Sequence, residues 1–402
     1  EIEVYLKRLP SVYLRQVYNL ASQITQPMAN SVRLVICIPV AGHQEGDYIY
    51  ESLKNYTYQT ADPKSYETVL FVNHPDKDLN GKLIKPDNTL DKINRFRNDY
   101  PSVPLRVIYA VLPREQAKIG YIRKLLTDVV LLRHHNRGKS VPDLIIVSND
   151  ADNKGIAPQY IDNFIKKIDT YPELDALIGE VDWETDAYKK YPVIHLGIRL
   201  FQAYLIIRRT KEGLKISQGA NFAFKSSIYA AVGGYDPDKG VAEDIALGAS
   251  IISARRSSKR IGFAGSSASR IFTSARRAIY SYKKGLTPVE QWNLGYSVFD
   301  NEVRMLEEES VSEIDYRDKE TRKKLAEGFD WVVNRTVEFL INIDKLDVYP
   351  EYQKAMRLLG IKFTVKDGRI TITNMEELID KFAKYYSRAD YIRDLKSGKI
   401  KK

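Results

Sequence analysis

The sequence predicts an α/β fold with a mostly parallel central sheet. Short β-branched apolar runs alternate with helical patterns between residues 32 and 152, as in consecutive βαβ units. Three of these runs end in polar clusters, AGHQEGD, NHPDKD and NDADN, at the carboxyl ends where such sheets bind ligands. From about Asp300 the composition turns charged and helical, which marks an extension. At 402 residues the chain can bury a large core, enough for two domains or one with additions. The expected division is a lead-in over 1–31, a sheet domain over 32–299 and an extension over 300–402.

Residues 1–31 carry helical apolar spacing. VRLVICIPVAG (32–42) is a buried strand, because a β-branched apolar run bounded by glycine has that signature. DYIYESLKNYTYQ (47–59) is a helix, ETVLFVNHPD (67–76) a second strand and LRVIYAVLP (105–113) a third. KIGYIRKLLTDVVLLRHH (118–135) is a helix, and DLIIVSNDAD (143–152) is a fourth strand. YPVIHLGIRLFQAYLIIRR (191–209) spaces His195, Arg199 and Gln202 as a polar stripe on a helix, either exposed or lining a cleft. In the extension, IKFTVKDGRITIT (361–373) is a hairpin, since Asp-Gly between alternating strands is a strong turn signal. The final 28 residues are helical with a basic end.

The single cysteine, Cys37, excludes an intramolecular disulfide and a thiolate zinc site. No stretch approaches the roughly 18 apolar residues of a membrane span. The expected setting is therefore cytoplasmic, with room for peripheral contact at the inner face of a membrane. That contact is expected from Ser253–Gly285, which holds nine cations and no acid, almost the whole net charge of +10. Glycine and serine interleave with these cations as in a mobile loop, so the segment either attracts phosphates or is a solvated surface.

Asp150 and Asp152 crowd together where the fourth strand emerges. Two carboxylates so close repel unless a cation or donor lies between them. Residues i and i+2 of an extended strand point the same way, so this pair can share Mg²⁺ or Mn²⁺, with phosphate oxygens completing the octahedron. Capping or a turn would also explain such a pair. Further on, SQGANFAFKSSIYAAVGGYDPDKGVAEDIALG (217–248) holds a small-residue turn at Gly219-Ala220-Asn221, a helix and a Gly233-Gly234 break. It then presents Glu243 and Asp244 opening a helix, where the dipole alone would favour acids. RGKS at 137–140 is no phosphate loop, because the required earlier glycine is Arg133 and a strand follows it.

IPVAGHQEG, SNDADN and GANFAFKSSIYAAVGGYDPDKGVAEDIALG, in that order, resemble the GT-A-fold nucleotide-sugar glycosyltransferases, most closely glycosyltransferase family 2. The resemblance covers roughly residues 33 to 260. It implies a three-layer α/β/α sandwich and metal-dependent, inverting sugar transfer from a UDP- or GDP-sugar to an acceptor hydroxyl. Pro39, Ala41 and Glu45 would border base and ribose, as would Asn73 and Asp76, although the family offers an Asp at the second strand end. Lys118 and Arg123 would lie near the nucleotide. Asp150 and Asp152 would hold Mn²⁺ or Mg²⁺ on the donor diphosphate. Gly219 and Asn221 would shape the acceptor side, with Asp244 as base beside Glu243. Apart from the resemblance, Trp183 in EVDWETDAY is a candidate aromatic platform for a sugar on the acceptor side, or else a core-packing residue. The acceptor would be a carbohydrate, a lipid-linked molecule or a small molecule.

Gln291 is followed directly by Trp292, unlike the Gln-x-x-Arg-Trp motif of the family's membrane synthases, so a processive synthase is not expected. Two alternatives share the fold: a retaining transferase, and a sugar nucleotidyltransferase, for which AGHQEGDY lacks the expected cation. A third is a non-catalytic protein that binds phosphates or a membrane surface through its basic segment. Nucleic acid is not an expected partner.

Overall fold

The computed structural model describes residues 1–78, 80–138, 141–183, 185–212, 215, 219–265, 267–290, 314–344 and 348–387. Its strands are β1 (Leu34–Ala41), β2 (Tyr66–Pro75), β3 (Leu105–Leu112), β4 (Ile145–Asn149), β5 (Gly155–Ile156) and β6 (Ala176–Ile178). They continue with β7 (Val181–Trp183), β8 (Asn221–Lys225), β9 (Ile261–Phe263), β10 (Ile271–Thr273), β11 (Phe363–Lys366) and β12 (Arg369–Ile372). The helices are α1 (Ile2–Arg8), α2 (Ser11–Ala21), α3 (Ile49–Leu53), α4 (Thr89–Asp99), α5 (Ile119–His135), α6 (Tyr160–Thr170) and α7 (Thr185–Lys190). They continue with α8 (Pro192–Lys211), α9 (Ser226–Ala231), α10 (Glu243–Arg255), α11 (Arg276–Lys283), α12 (Lys319–Asp344), α13 (Tyr349–Leu358) and α14 (Met375–Ser387).

The chain packs as two units. One comprises the described residues of Glu1–Asp182 and Lys215–Thr273, the other those of Trp183–Leu214 and Ser274–Ile400. Sequence composition places breaks at 31/32 and 299/300; packing divides the chain elsewhere, because α1 and α2 share the first unit's core and α8 shares the second's.

The first unit is built on a seven-stranded sheet in the order β3-β2-β1-β4-β8-β6-β9. β1 to β4 are mutually parallel, β8 runs against both neighbours, and β6 and β9 return to the common direction. Alternate residues of each strand feed two cores. Val35, Cys37, Val69, Phe71 and Ile146 face α1, α2, α5, α9 and α10. Leu34, Ile36, Ile38, Leu70 and Val147 face α3, α4 and α6. This is the expected three-layer α/β/α arrangement. It explains why β1, β2 and β4 read as continuous apolar runs, since both faces of each strand are covered.

Two expectations need local correction. The helix expected over 47–59 is shorter, giving way after Leu53 to a 3₁₀ turn at Lys54–Tyr56. Asn221 does not close a small-residue turn before a helix; it begins β8, whose alternating Phe222 and Phe224 pack into the core.

The turn between Gly233 and the acidic pair is fixed by Gly120 at the start of α5. Its N–H donates to the Lys239 carbonyl at 3.0 Å. A Cβ at that position would fall on the Asp236 carbonyl oxygen and lie 2.8 Å from that of Lys239. Both obstacles are backbone, so Gly120→Ala must push the 236–239 loop away. The expected cost is about 1–3 kcal/mol, read as a lower denaturation midpoint, with faster amide exchange at the start of α10.

In the second unit, α8 packs against α12 and α13 around a separate core that includes the β11–β12 hairpin and α14. The hairpin turn is the expected one: Asp367 (φ 50°) and Gly368 (φ 78°) are both left-handed, as a two-residue type I′ turn requires. The polar stripe expected on α8 is not one face. Arg199 is exposed, but His195 is buried, accepts or donates one hydrogen bond at 2.6 Å with the Tyr386 hydroxyl, and stacks on Tyr188 at 4.2 Å. Burial, helped by Arg199, pushes its pKa down to about 3, so it is a neutral core residue. No described helix is long and apolar enough to cross a membrane.

Candidate active site

β4 carries apolar side chains until Ser148 and Asn149, both buried. Asn149 is held between the hydroxyls of Tyr56 and Tyr160, each 3.0 Å away. The Tyr160 hydroxyl also donates to Asn221 at 2.7 Å, and the Asn221 amide donates to the Glu180 and Ser269 carbonyls at 2.8 and 2.7 Å. This buried ladder ties β4, α6 and β8 to the segments after β6 and before β10. Asn221 is therefore a fully buried brace between these segments.

The chain leaves β4 in a turn at Asp150–Asp152, closed by the Asn153 side chain donating to the Asp150 carbonyl at 3.0 Å. The expected extended conformation ends at Asn149, so the two carboxylates are not matched neighbours on one strand face. Asp152 is 8% exposed, whereas the Asp150 side chain is 34% exposed.

The charge that answers Asp150 comes from α5. Arg123 donates through Nη2 to Asp150 Oδ1 at 2.6 Å and through Nη1 to Ser148 Oγ. Its Nε lies 2.8 Å from Glu243 Oε1, at the start of α10. Burial opposes this charge, but Asp150 and Glu243 outweigh it and hold the guanidinium pKa above its ordinary value. Gly219 leaves room beside it: a Cβ there would come within 2.9 Å of Arg123 Nη2, so a larger residue would press on the guanidinium.

Asp244 completes the group. Its Oδ2 accepts from the Gly219 N–H, and its Oδ1 from the Ile245 N–H at 2.7 Å. Ala242 just before the pair has a left-handed φ of 57°, a strained conformation for alanine. Asp244 is half-buried; burial and the neighbouring Glu243 charge push its pKa up to about 6, with Arg123 pulling the other way. The structure thus gathers Asp150, Arg123, Gly219, Glu243 and Asp244 around one guanidinium.

The remaining expected residues lie as follows. Ala41 and Asn73 are register partners at the ends of β1 and β2. Pro39 and Ala41 are half-buried, and Glu45 is buried in the turn that follows, its N–H donating to the Ala41 carbonyl at 3.1 Å. The Asn73 amide is committed to the Val40 and Phe71 carbonyls. Asp76 accepts from the Arg114 N–H at 3.0 Å, and exposed Lys118 lies 3.9 Å from Asp238. Trp183 ends β7, and its side chain lies outside the described residues, as do Gln291 and Trp292. Sequence reasoning missed Asp87, which accepts from the Gly46 N–H at 3.1 Å and braces the turn after β1. Its signal was local: Asp87 also accepts from the Thr89 N–H at 2.8 Å, a common helix-start pattern.

Asp150 and Asp152 offer only hard carboxylate oxygens. Among the described residues no group of three or more His, Cys, Asp and Glu side chains could hold an ion by itself. That donor set fits Mg²⁺ or Mn²⁺, whose other positions phosphate oxygens and water can fill. The basic segment is not a mobile loop of unpaired cations. It contains the end of α10, β9, β10 and α11; Arg255 and Arg260 both pair with Asp175, and Arg270 pairs with Glu180.

No family model matches the chain, and no curated protein sequence matches it. Several solved structures are similar to it. A mannosyltransferase from Pyrobaculum calidifontis in complex with GDP-Man and Mn²⁺ is 13% identical, with a TM-score of 0.41, over 97% of this chain and 100% of that one. S. aureus TarS, residues 1–349, is 12% identical with a TM-score of 0.38, over 85% and 96%. Glucosyl-3-phosphoglycerate synthase from Mycobacterium tuberculosis, bound to Mn²⁺, UDP-glucose and phosphoglyceric acid, is 12% identical with a TM-score of 0.36, over 64% and 75%. Likenesses at these scores carry no inference about activity, and the functional reading rests on this chain's own residues.

Proposed function

We propose that this chain is a glycosyltransferase that moves a sugar from a UDP- or GDP-sugar to an acceptor hydroxyl, with inversion and with a divalent metal. One observation carries the reading: Arg123 brings the acidic pair opening α10 to the carboxyl end of β4, beside Asp150 and Asp152. A carboxylate pair for a metal-diphosphate and a separate carboxylate suited to take a proton are what this substitution needs.

Asp150 and Asp152 would hold the ion, which supplies charge stabilisation to the departing diphosphate. Ala41, Glu45 and Asn73, at or just after the ends of β1 and β2, would border the nucleoside, and the ladder through Asn149 and Asn221 would brace the site. Asp244 takes the proton from the acceptor hydroxyl as attack proceeds. Its pKa of about 6 leaves it ionised at neutral pH, yet a stronger base than an ordinary aspartate. Attack from the side opposite the diphosphate inverts the sugar carbon. The acceptor class stays open among carbohydrate, lipid-linked and small-molecule hydroxyls.

The test is sugar transfer from a panel of UDP- and GDP-sugars with and without Mn²⁺. Chelation is expected to abolish transfer and added Mn²⁺ to restore it, while Asp152→Ala lowers turnover by at least about a hundredfold. Unchanged transfer in both Asp152→Ala and Asp244→Asn would remove the assignment.

A further inference from the structure

The turn that leaves β1 is held by a residue that does not belong to it. Its own bonds form two closures. The Gln44 and Glu45 N–H groups donate to the Ala41 carbonyl at 3.0 and 3.1 Å, and the Tyr48 and Ile49 N–H groups to the Glu45 carbonyl at 3.0 and 2.9 Å. A bond from the Gly46 N–H to the Gly42 carbonyl, the i to i−4 contact of a helical turn, would join the two closures. Asp87 stands in its place. Its N–H donates to the Gly42 carbonyl at 3.0 Å, and its Oδ2 accepts from the Gly46 N–H at 3.1 Å. Its Oδ1 accepts from the Thr89 N–H at 2.8 Å and from the Thr89 hydroxyl, which anchors this wedge to the start of α4. On the other side the Gly42 N–H donates to the Asn73 carbonyl at 2.8 Å, at the end of β2. The fit is close: a Cβ on Gly46, which is buried, would meet the Asn88 side chain and lie 3.0 Å from Asp87 Oδ2.

We infer that Asp87 is a positioning residue for the donor's nucleoside: wedged between Gly42 and Gly46, it keeps the turn from closing on itself and so holds Ala41 and Glu45 where the nucleoside would rest. This deepens the transferase reading and rests on it for the ligand. The wedge itself is a set of contacts within the chain. Serine at position 87 separates its two parts. A serine hydroxyl can still accept from an N–H two residues on, which keeps the anchor at Thr89, but its single oxygen, one bond nearer the backbone, leaves Gly46 without its acceptor.

The experiment measures, in the full chain with Mg²⁺, the affinities for UDP, GDP and inorganic pyrophosphate, together with amide exchange at Gly46. In Asp87→Ser the nucleotide that the wild type takes is expected to bind about tenfold more weakly, as the loss of one charge-assisted hydrogen bond implies. Pyrophosphate, which has no nucleoside, should bind within about twofold of the wild type, while the Gly46 amide exchanges about tenfold faster. Gly46→Ala presses on the same contact without touching the start of α4, and it keeps the test alive should Asp87→Ser fold poorly; the same split is expected. Nucleotide affinity that stays at the wild-type value in the folded variants would overturn the proposal. So would an equal weakening of nucleotide and pyrophosphate, because Asp87 would then act on the diphosphate and its ion, and so would unchanged exchange at Gly46. A wild-type protein that binds neither nucleotide counts against the transferase reading, and the exchange measurement still decides whether Asp87 holds the turn.

Discussion

Asp128→Ala is expected to release α1 and α2 from α5 at a cost of about 3–5 kcal/mol. Asp128 is fully buried on α5, where it accepts from the hydroxyls of Tyr5 at 2.7 Å and Tyr13 at 2.8 Å. Lys124, one turn earlier, lies 3.2 Å from the same carboxylate, and it also donates to the Tyr5 hydroxyl and to the Gly233 carbonyl. Burial pushes the Asp128 pKa up, and Lys124 and the two hydroxyls oppose that push. Removing the carboxylate therefore strands a buried ammonium and two buried hydroxyls, which is costlier than losing the pair as a whole. The double change Lys124→Met/Asp128→Leu should recover much of the loss, since an apolar pair of similar volume often replaces a buried ion pair without penalty. Urea unfolding and amide exchange at Val17 and Leu20 are the measurements. A single variant that unfolds at the wild-type midpoint would show that the network contributes no stability.

That network also shows where sequence reading ends. β1, β2, β3 and β4 are legible because each is long enough to carry a pattern of its own, and the Asp367-Gly368 turn is legible because its chemistry is local. β6 and β9 have three residues each, so they are strands only through their neighbours. The acidic groups were visible as residue types, but their relation was not. Arg123 lies 27 residues from Asp150 in sequence and far from Glu243, and nothing in its own helix marks it as their common partner. A charge run misleads in the same way. Arg255 and Arg260 look unpaired in the sequence because their partner, Asp175, belongs to a segment some eighty residues earlier. α6 was open to detection, since Tyr160, Ile161, Phe164 and Ile168 recur at helical spacing.

Asp244→Asn is expected to lower turnover by about 10²–10⁴-fold while leaving nucleotide binding nearly intact. The asparagine is close in size and keeps an oxygen for the Ile245 N–H, but it can no longer take a proton. With the wild-type pKa raised to about 6, the form useful in the proposed role of base is the deprotonated one. Activity should therefore be on a plateau above that pH and fall about tenfold per unit below it. In Asp244→Asn this acid limb should disappear along with the rate. One structural cost accompanies the change: either the amide turns its NH₂ toward the Gly219 N–H or the Ile245 contact is given up. A thermal melt must therefore show the variant folded before its rate is read. Thermal shifts with Mn²⁺ and UDP or GDP separate the two halves of the proposed site, because in that reading the ion and diphosphate would depend on Asp150 and Asp152 and not on Asp244. A variant that binds nucleotide and still transfers sugar within about tenfold of the wild-type rate would place the base elsewhere. Glu243 would be a poor replacement, since its carboxylate is already tied to Arg123.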